Sequence, residues 1–186
     1  MARAADYVKQ IACIESLADR EEKLSTRPFL EYVASVQGIR LSFAACDTPD
    51  ELTEGLRTLA RLRKDGILYI ALHGGPGEIY LADGTTLSLE DFAELLGERF
   101  EGWVLHFGSC STLKASERRL EAFVERTGIP LLLGYTRTVD WIESSAMDML
   151  IFQALQQYVD LRACWRFLER RYASLIECTG LSAYVG

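Results

Sequence analysis

The 186-residue chain is 49% apolar and 25% charged, which fits one globular domain that buries roughly 70% of its unfolded surface. Its net charge of −7 argues against nucleic acid or an anionic membrane as the main partner. No apolar run approaches the ~20 residues of a membrane span, and the first residues lack the apolar core of a signal peptide. We therefore expect a cytoplasmic protein with no membrane span.

The five cysteines are odd in number, widely spaced and without a C-x-x-C pair, and the chain has only two histidines. This pattern indicates reduced thiols and argues against a structural zinc site. No sequence motif calls for a cofactor, so we expect neither a cofactor nor a metal.

Apolar residues recur at helical spacing in several segments of the chain. Proline near the first helical position and glycine after the last one mark some of the helix ends. In chain order, the first four predicted helices are residues 4–22, a shorter helix from Pro28 to Gly38, one that begins at the capping box of 48–51, and one capped by Ser88. Three more follow: one from Ser116 to Gly128, one after the loop at 135–141, and one in the first part of 161–186. We expect this last segment to become irregular after about residue 175.

Four apolar runs predict strands of a sheet, at residues 39–43, 67–72, 103–107 and 129–133. The first alternates with polar residues and is placed nearer the sheet edge, whereas the others are continuous, as in buried parallel strands. Two short runs, 78–81 and 85–87, flank Asp83 and Gly84 and predict a β-hairpin. Because strands alternate with helices and no linker interrupts the chain, residues 1–186 predict one α/β domain with a mainly parallel sheet.

Two of the continuous strands are followed by a reactive side chain beside glycine. The 67–72 run leads into His73, Gly74 and Gly75, and the 103–107 run leads through Gly108 to Cys110. The carboxyl ends of parallel strands form the edge at which open α/β sheets bind their ligands. A histidine and a cysteine at that edge are the smallest set of residues that can supply a thiolate nucleophile and a general base.

Each of these residues also has an ordinary structural explanation. A histidine at a strand end is more often a satisfied polar residue, and a single cysteine is more often a small buried hydrophobe. The glycines beside His73 favour catalysis, because they admit a ligand backbone and leave N–H groups for an oxyanion. His106 lies inside a strand, over about 10 Å from Cys110 at ~3.3 Å per residue, so we expect it to be buried and hydrogen-bonded. The other cysteines are interpreted as structural: Cys13, Cys46, Cys164 and Cys178.

In this order, the motifs resemble the caspase-like cysteine peptidases, and within them the CHAT branch, which is also related to separase. The resemblance rests on the apolar strand with His-Gly, the hairpin and helix start at 79–92, the Ser-Cys-Ser-Thr of 109–112, and the strand, loop and helix between 128 and 155. It covers a core of about residues 39–158, with helical extensions at both ends. The family fold it implies has three layers, with helices on both faces of the sheet and a hairpin after the catalytic histidine.

The resemblance implies His73 as the general base and Cys110 as the nucleophile. The backbone N–H groups of Gly74 and Cys110 would form the oxyanion hole. In separase-like relatives an acidic residue after the last core strand lines the S1 pocket, which here is Asp140 and implies a substrate with arginine or lysine at P1. Two alternatives stay open, because Arg137 is placed to neutralise Asp140 and Asp140 is placed to cap the next helix.

The function implied is a cysteine endopeptidase that cleaves a protein or peptide through an acyl-enzyme. Bacterial CHAT peptidases are linked with defence and programmed cell death. The short segment at 112–116 is not a long cleavable linker, which indicates activity without obligatory self-cleavage or control by a partner. The chain also has no sensor repeats, so we expect its regulator or its substrate to be encoded elsewhere. One rival is a catalytically inactive caspase-like module that binds proteins. A nucleotide-binding domain is a weaker rival, because the glycines at 74–77 precede a hairpin and not a helix.

Overall fold

Strands alternate with helices along most of the chain, and the helices cover both faces of one large sheet. The structure, a computed structural model, describes residues 9–16, 18, 25–61 and 66–186. The strands are β1 (Gln10–Glu15), β2 (Leu41–Ala45), β3 (Gly66–Ala71), β4 (His73–Gly75), β5 (Glu78–Tyr80), β6 (Thr86–Ser88), β7 (Val104–Phe107), β8 (Leu131–Tyr135) and β9 (Leu181–Val185). The helices are α1 (Arg27–Gln37), α2 (Pro49–Leu59), α3 (Leu89–Leu96), α4 (Glu117–Thr127), α5 (Trp141–Leu155), α6 (Leu161–Arg171) and α7 (Ala173–Thr179).

The large sheet has six strands in the order β2-β1-β3-β7-β8-β9. Its first five strands run parallel to one another, and β9 runs antiparallel to β8. A second, small antiparallel sheet has the order β4-β5-β6 and follows β3 directly in the chain. The predicted hairpin is therefore confirmed, and the structure adds a third strand to it that begins at His73.

Alternation of side chains along β3 shows how the three layers form. Leu68 and Ile70 point into an apolar cluster shared with α2, α3 and α4. Ile67 and Tyr69 point the other way, into a second cluster shared with α1, α5 and α6. Because the central strands are buried on both faces, they read as continuous apolar runs in the sequence. The predicted three-layer α/β fold is confirmed.

Several helix ends form as the sequence predicts. Thr48 and Glu51 make a reciprocal capping box at the start of α2, and Ser88 and Asp91 do the same for α3. Gly38 and Gly128 take left-handed conformations that end α1 and α4. Ser116 precedes α4 as predicted, but its side chain makes no capping hydrogen bond in the structure.

The helix predicted for residues 4–22 is wrong at residues 10–15, which form a strand. Residues 10–15 form β1, which lies between β2 and β3 in the middle of the parallel sheet. Ile11 and Cys13 pack on one face of the sheet, and Ala12 and Ile14 pack on the other. A strand that is buried on both faces has no alternation of apolar and polar residues, so the spacing of its apolar residues can resemble that of a helix. Residues 4–8, 17 and 19–22 of the predicted helix lie outside the described residues.

The irregular segment predicted after about residue 175 is also wrong. Helix α7 continues to Thr179, Gly180 adopts φ 66°, and β9 then pairs with β8 as an edge strand. The pairing joins Leu131 to Val185, which are more than fifty positions apart in the sequence, so no local sequence pattern predicts it. The large sheet thus extends beyond the predicted core of 39–158 at both ends.

Candidate active site

The carboxyl ends of β3 and β7 bring the two predicted catalytic segments side by side. Ile70 is paired with Phe107, and the N–H of Gly108 donates to the carbonyl of Ile70 over 3.0 Å. Strand β3 ends at Ala71, and His73 begins β4 with an exposed side chain. Cys110 lies in the loop after β7 and is half-buried. Both residues therefore leave the same edge of the sheet.

Gly74 is the point at which these two segments touch. A Cβ on Gly74 would overlap Thr112 Oγ1 and would lie 2.7 Å from Ser109 Cβ and 3.0 Å from the carbonyl oxygen of Cys110. Thr112 Oγ1 in turn donates to the carbonyl of Glu78, in the strand paired with β4, over 3.1 Å. Only a residue without a side chain permits this approach, so Gly74 brings the segment that carries His73 directly against the Cys110 loop.

This packing changes the interpretation of the two glycines. The sequence predicts that Gly74 and Gly75 leave space for a ligand backbone, but protein atoms occupy the space beside both. The Cys110 loop fills it at Gly74, and the hydroxyl of Tyr80 fills it at Gly75. The glycines are therefore required by the fit between β4, its neighbouring strand β5 and the Cys110 loop.

The Cys110 loop is held in a strained conformation. Ser111, the residue after Cys110, has φ 59°, the one positive φ of a non-glycine residue in the described part of the chain. That conformation is costly for a residue with a Cβ and is often found at functional sites. Hydrogen bonds of 3.0 Å from Ser111 N to Arg137 O and from Leu113 N to Tyr135 O hold the loop against β8 and the segment after it.

A small cleft of about 30 Å³, open to solvent, lies beside His73. The ends of β3 and β7 form one side and the first turn of α5 forms the other. Apart from the His73 ring, the lining side chains are aromatic, aliphatic or hydroxyl-bearing: Thr26, Tyr69, Ala71, Leu72, Trp141, Ser144 and Ser145, with Gly108. Trp141 is 42% exposed although it is large and apolar, so its ring is available to a molecule that enters the cleft.

Asp140 stands at the start of α5, next to this cleft in the chain. Its Oδ1 accepts hydrogen bonds from Ile142 N over 2.8 Å and from Glu143 N over 3.1 Å, so it is the N-cap of the helix. Among the described residues Asp140 forms no ion pair with Arg137, and Asp140 is absent from the cleft lining. Its role in substrate binding stays a prediction.

His106 is fully buried and hydrogen-bonded, as predicted. Its Nε2 lies 2.6 Å from Asp148 Oδ1. The same carboxylate accepts hydrogen bonds from two phenols, Tyr69 to Oδ2 over 2.6 Å and Tyr135 to Oδ1 over 2.5 Å. Asp148 is only 1% exposed, so these three partners supply the hydrogen bonds that water cannot. Sequence reasoning missed the other three members of this network.

Burial keeps both phenols in the network protonated. It raises the pKa of Tyr69 and of Tyr135 well above the usual value of 10.0, and the charge of Asp148 and the hydrogen bond to it raise each pKa further. Both hydroxyls therefore remain donors to Asp148 at physiological pH. The one sequence signal for this network is Asp148 itself, a single acidic residue between apolar neighbours in the predicted helix after residue 141.

The remaining cysteines fit the structural role predicted for them, with one difference. Cys13, Cys46 and Cys164 are buried, whereas Cys178 is exposed. Burial raises the pKa of Cys46 to about 12 and that of Cys164 to about 11. A hydrogen bond to Glu143 is the main reason that the pKa of the Cys178 thiol is raised. Among the described residues no three metal-binding side chains come together, and no helix has the length and apolarity to cross a bilayer.

The fold is similar to that of a caspase of known structure. The crystal structure of caspase-1 from Spodoptera frugiperda superposes with a TM-score of 0.58 at 10% sequence identity, over 96% of this chain and 86% of that chain. At this identity the similarity shows a caspase-like fold and does not extend to the activity. No curated protein matches the sequence significantly. The assignment to the CHAT branch stays a prediction.

A protein-family model also matches the sequence, over residues 8–185. That range includes every strand and helix described above. The family is described as one of unknown function, so the match by itself carries no activity. The chain thus belongs to the DUF6642 family, and in it this sequence takes a caspase-like fold.

Proposed function

We propose that the chain is a caspase-like cysteine endopeptidase with Cys110 as nucleophile and His73 as general base. The observation that carries the proposal is the contact of Gly74 with the Cys110 loop, because it joins the two candidate residues at one sheet edge. Three further features support it: the exposed His73, the strained Ser111 beside Cys110, and the adjoining cleft.

In the proposed reaction His73 removes the proton from the Cys110 thiol, and Sγ attacks the carbonyl carbon of a peptide bond. The negative charge that develops on the carbonyl oxygen is met by the N–H groups of Gly74 and Cys110. The C–N bond then breaks, and His73 gives its proton to the leaving amine. Water, activated by His73, hydrolyses the thioester, which releases a carboxylic acid and restores the thiol.

The cleft beside His73 is the proposed binding site for a substrate side chain. Trp141 offers an exposed aromatic surface there, against which the methylene stem of a long side chain would pack. Both capping hydrogen bonds of Asp140 use Oδ1, so Oδ2 is the oxygen that would meet a cationic P1 residue. From the cysteine pattern we also propose a cytoplasmic enzyme, and from the resemblance to CHAT peptidases a separately encoded regulatory protein and a bacterial defence or cell-death pathway.

The experiment that tests this proposal incubates the purified protein with a diverse peptide library and identifies cleavage products by mass spectrometry. We expect cleavage by the wild type and none by Cys110→Ala. If the two proteins behave alike and an electrophilic thiol probe does not modify Cys110, the peptidase proposal fails. The chain would then fit the rival function, a catalytically inactive module that binds other proteins.

A further inference from the structure

The Tyr69 side chain supports the backbone from which the Cys110 loop departs. A Cβ on Gly108 would overlap the Tyr69 hydroxyl and would lie 2.7 Å from Cζ and 2.8 Å from Cε2 of the ring. Gly108 is the first residue after β7 and stands two positions before Cys110. The end of the Tyr69 side chain therefore lies directly against the Gly108 backbone.

The position of this hydroxyl is fixed from several sides. It donates to Asp148 Oδ2 over 2.6 Å. The Tyr69 ring packs edge-on to Phe152 at a centroid distance of 5.2 Å and lies 5.3 Å from the ring of His106. Tyr69 is 2% exposed, so its hydroxyl cannot exchange Asp148 for bulk water without a change in packing.

The same network anchors the opposite wall of the cleft. Asp148 belongs to α5, and the first turns of that helix carry Trp141, Ser144 and Ser145. Through Asp148 the helix is bound to β3 by Tyr69, to β7 by His106 and to β8 by Tyr135. Tyr69 differs from the other two, because it also lines the cleft and contacts Gly108.

We propose that Tyr69 is a positioning residue for catalysis: its hydroxyl, held by Asp148, supports Gly108 and thereby sets the conformation of the Cys110 loop. This inference rests on the proposed role of Cys110 as nucleophile. Loss of the hydroxyl leaves Asp148 Oδ2 without its donor and opens a space beneath Gly108. The loop then samples more conformations, and fewer of them place the thiolate for attack.

Tyr135 is a control for Tyr69, although its hydroxyl also donates to the carbonyl of Ser144 over 3.2 Å. Both residues are buried phenols that donate to Asp148, and burial raises the pKa of both. The Tyr135 side chain is not part of the cleft lining. If the network were only structural, Tyr69→Phe and Tyr135→Phe would have the same consequences once their stabilities are compared.

The first measurement is amide hydrogen exchange of residues 108–113 in the wild type and in both Phe variants, below the melting temperature of each. We expect about tenfold faster exchange in Tyr69→Phe and a clearly smaller change in Tyr135→Phe. Equal exchange in the two variants would overturn the inference. The exchange measurement needs no substrate, so it shows whether Tyr69 orders the Cys110 loop even if the wild type proves to have no peptidase activity.

The second measurement is cleavage of a peptide selected from the library. Tyr69→Phe is expected to lower kcat about tenfold with little change in KM, whereas Tyr135→Phe, which does not contact Gly108, is expected to lower kcat clearly less. An equal loss in both variants contradicts the positioning role and leaves the peptidase proposal intact. A wild type without activity contradicts the peptidase proposal instead.

A third comparison tests the contact from the Gly108 side, first with the Tyr69 hydroxyl intact. Gly108→Ala adds a methyl group where the Tyr69 hydroxyl lies, and we expect faster exchange of residues 108–113 in this variant. Combining it with Tyr69→Phe removes the overlap with the hydroxyl, so the double variant should exchange more slowly than Gly108→Ala alone. Purely additive effects of the two substitutions would show that the contact does not couple these residues.

Discussion

The carbonyl oxygen of Cys110 lies so close to Gly74 that a Cβ on residue 74 would be only 3.0 Å from it. This contact joins the small antiparallel sheet, which begins at His73, to the loop that carries the candidate nucleophile. Both chain segments leave the carboxyl edge of the parallel sheet, from β3 and from β7. The relative position of His73 and Cys110 therefore depends on a fit between two backbones.

Replacing Gly74 with alanine should damage activity more than it damages the fold. The added methyl group would meet Thr112, Ser109 and the Cys110 carbonyl and would push the two segments apart, at a cost of about 1–3 kcal/mol. Because a displacement of about 1 Å is enough to disturb the geometry of attack, we expect about a hundredfold lower kcat/KM.

Gly38→Ala is the control for the Gly74 variant. Gly38 has φ 64° and no atoms within 4 Å of a Cβ, so alanine there should cost about 1 kcal/mol of backbone strain and leave activity unchanged. Urea denaturation and peptide cleavage, measured on both variants, separate the two effects. A Gly74→Ala protein with wild-type activity would contradict the importance of this contact.

Ser111 offers a test of the strain in the Cys110 loop. Its φ of 59° favours glycine, so Ser111→Gly should stabilise the protein by about 1 kcal/mol, whereas Ser111→Val should destabilise it by more than that. Both values follow from chemical denaturation. We also expect lower activity in the glycine variant, because glycine allows the loop more conformations. A loss of stability in Ser111→Gly would argue against the left-handed conformation.

The buried phenols predict a loss of stability at high pH. Burial and Asp148 raise the pKa of Tyr69 and Tyr135 well above 10.0 in the folded protein, so above about pH 10 only the unfolded chain releases these protons. The unfolded state then binds fewer protons than the native state, and the free energy of unfolding falls as the pH rises. The slope approaches about 1.4 kcal/mol per pH unit for each tyrosine.

This pH dependence is measured by urea denaturation between about pH 8 and pH 11. Cys46 and Cys164 act in the same direction from about pH 9, because their folded pKa values are about 12 and about 11. Tyr69→Phe and Tyr135→Phe should each reduce the slope above pH 10. Identical slopes in the wild type and both variants would rule out the buried network as the cause.

The five thiols should react in a definite order. At neutral pH, iodoacetamide is expected to modify Cys110 first, because raised pKa values keep Cys46, Cys164 and Cys178 protonated and Cys13 is buried. Peptide mapping after brief labelling identifies the site. Cys178 is the one exposed competitor, so labelling is repeated in Cys178→Ser. Slower labelling of Cys110 than of Cys46 in the folded protein would contradict this order.

Local patterns in the sequence predict much of the fold. The strands before His73 and Cys110 are recognisable because a buried parallel strand reads as an unbroken apolar run that stops at glycine. Strand β1 is equally buried, but its Ile11 and Ile14 also suit a helix, and no nearby turn signal decides between the two. Strand β9 is stabilised by pairing with β8, which leaves no local signal.

The candidate site likewise contains some residues that the sequence predicts and others that it does not. His73, Gly74 and Cys110 can be found from the sequence because each stands at the end of a recognisable strand. The Asp148 network cannot, because its hydrogen bonds join residues far apart in the chain, 79 positions for Tyr69 and 42 for His106. Nothing around any one of these residues indicates that they meet. The capping role of Asp140, in contrast, can be predicted from its position just before α5, and the structure confirms it.

Peptide cleavage by four proteins tests the central claim most directly: the wild type, Cys110→Ala, His73→Ala and Cys178→Ser. Cys178→Ser also loses a thiol, but one that is exposed on α7 and far along the chain from the proposed dyad. We predict that Cys110→Ala and His73→Ala each lose about 10³-fold or more in kcat and that Cys178→Ser keeps wild-type activity. Cleavage that survives in Cys110→Ala, or no cleavage by the folded wild type, would contradict a Cys110–His73 peptidase.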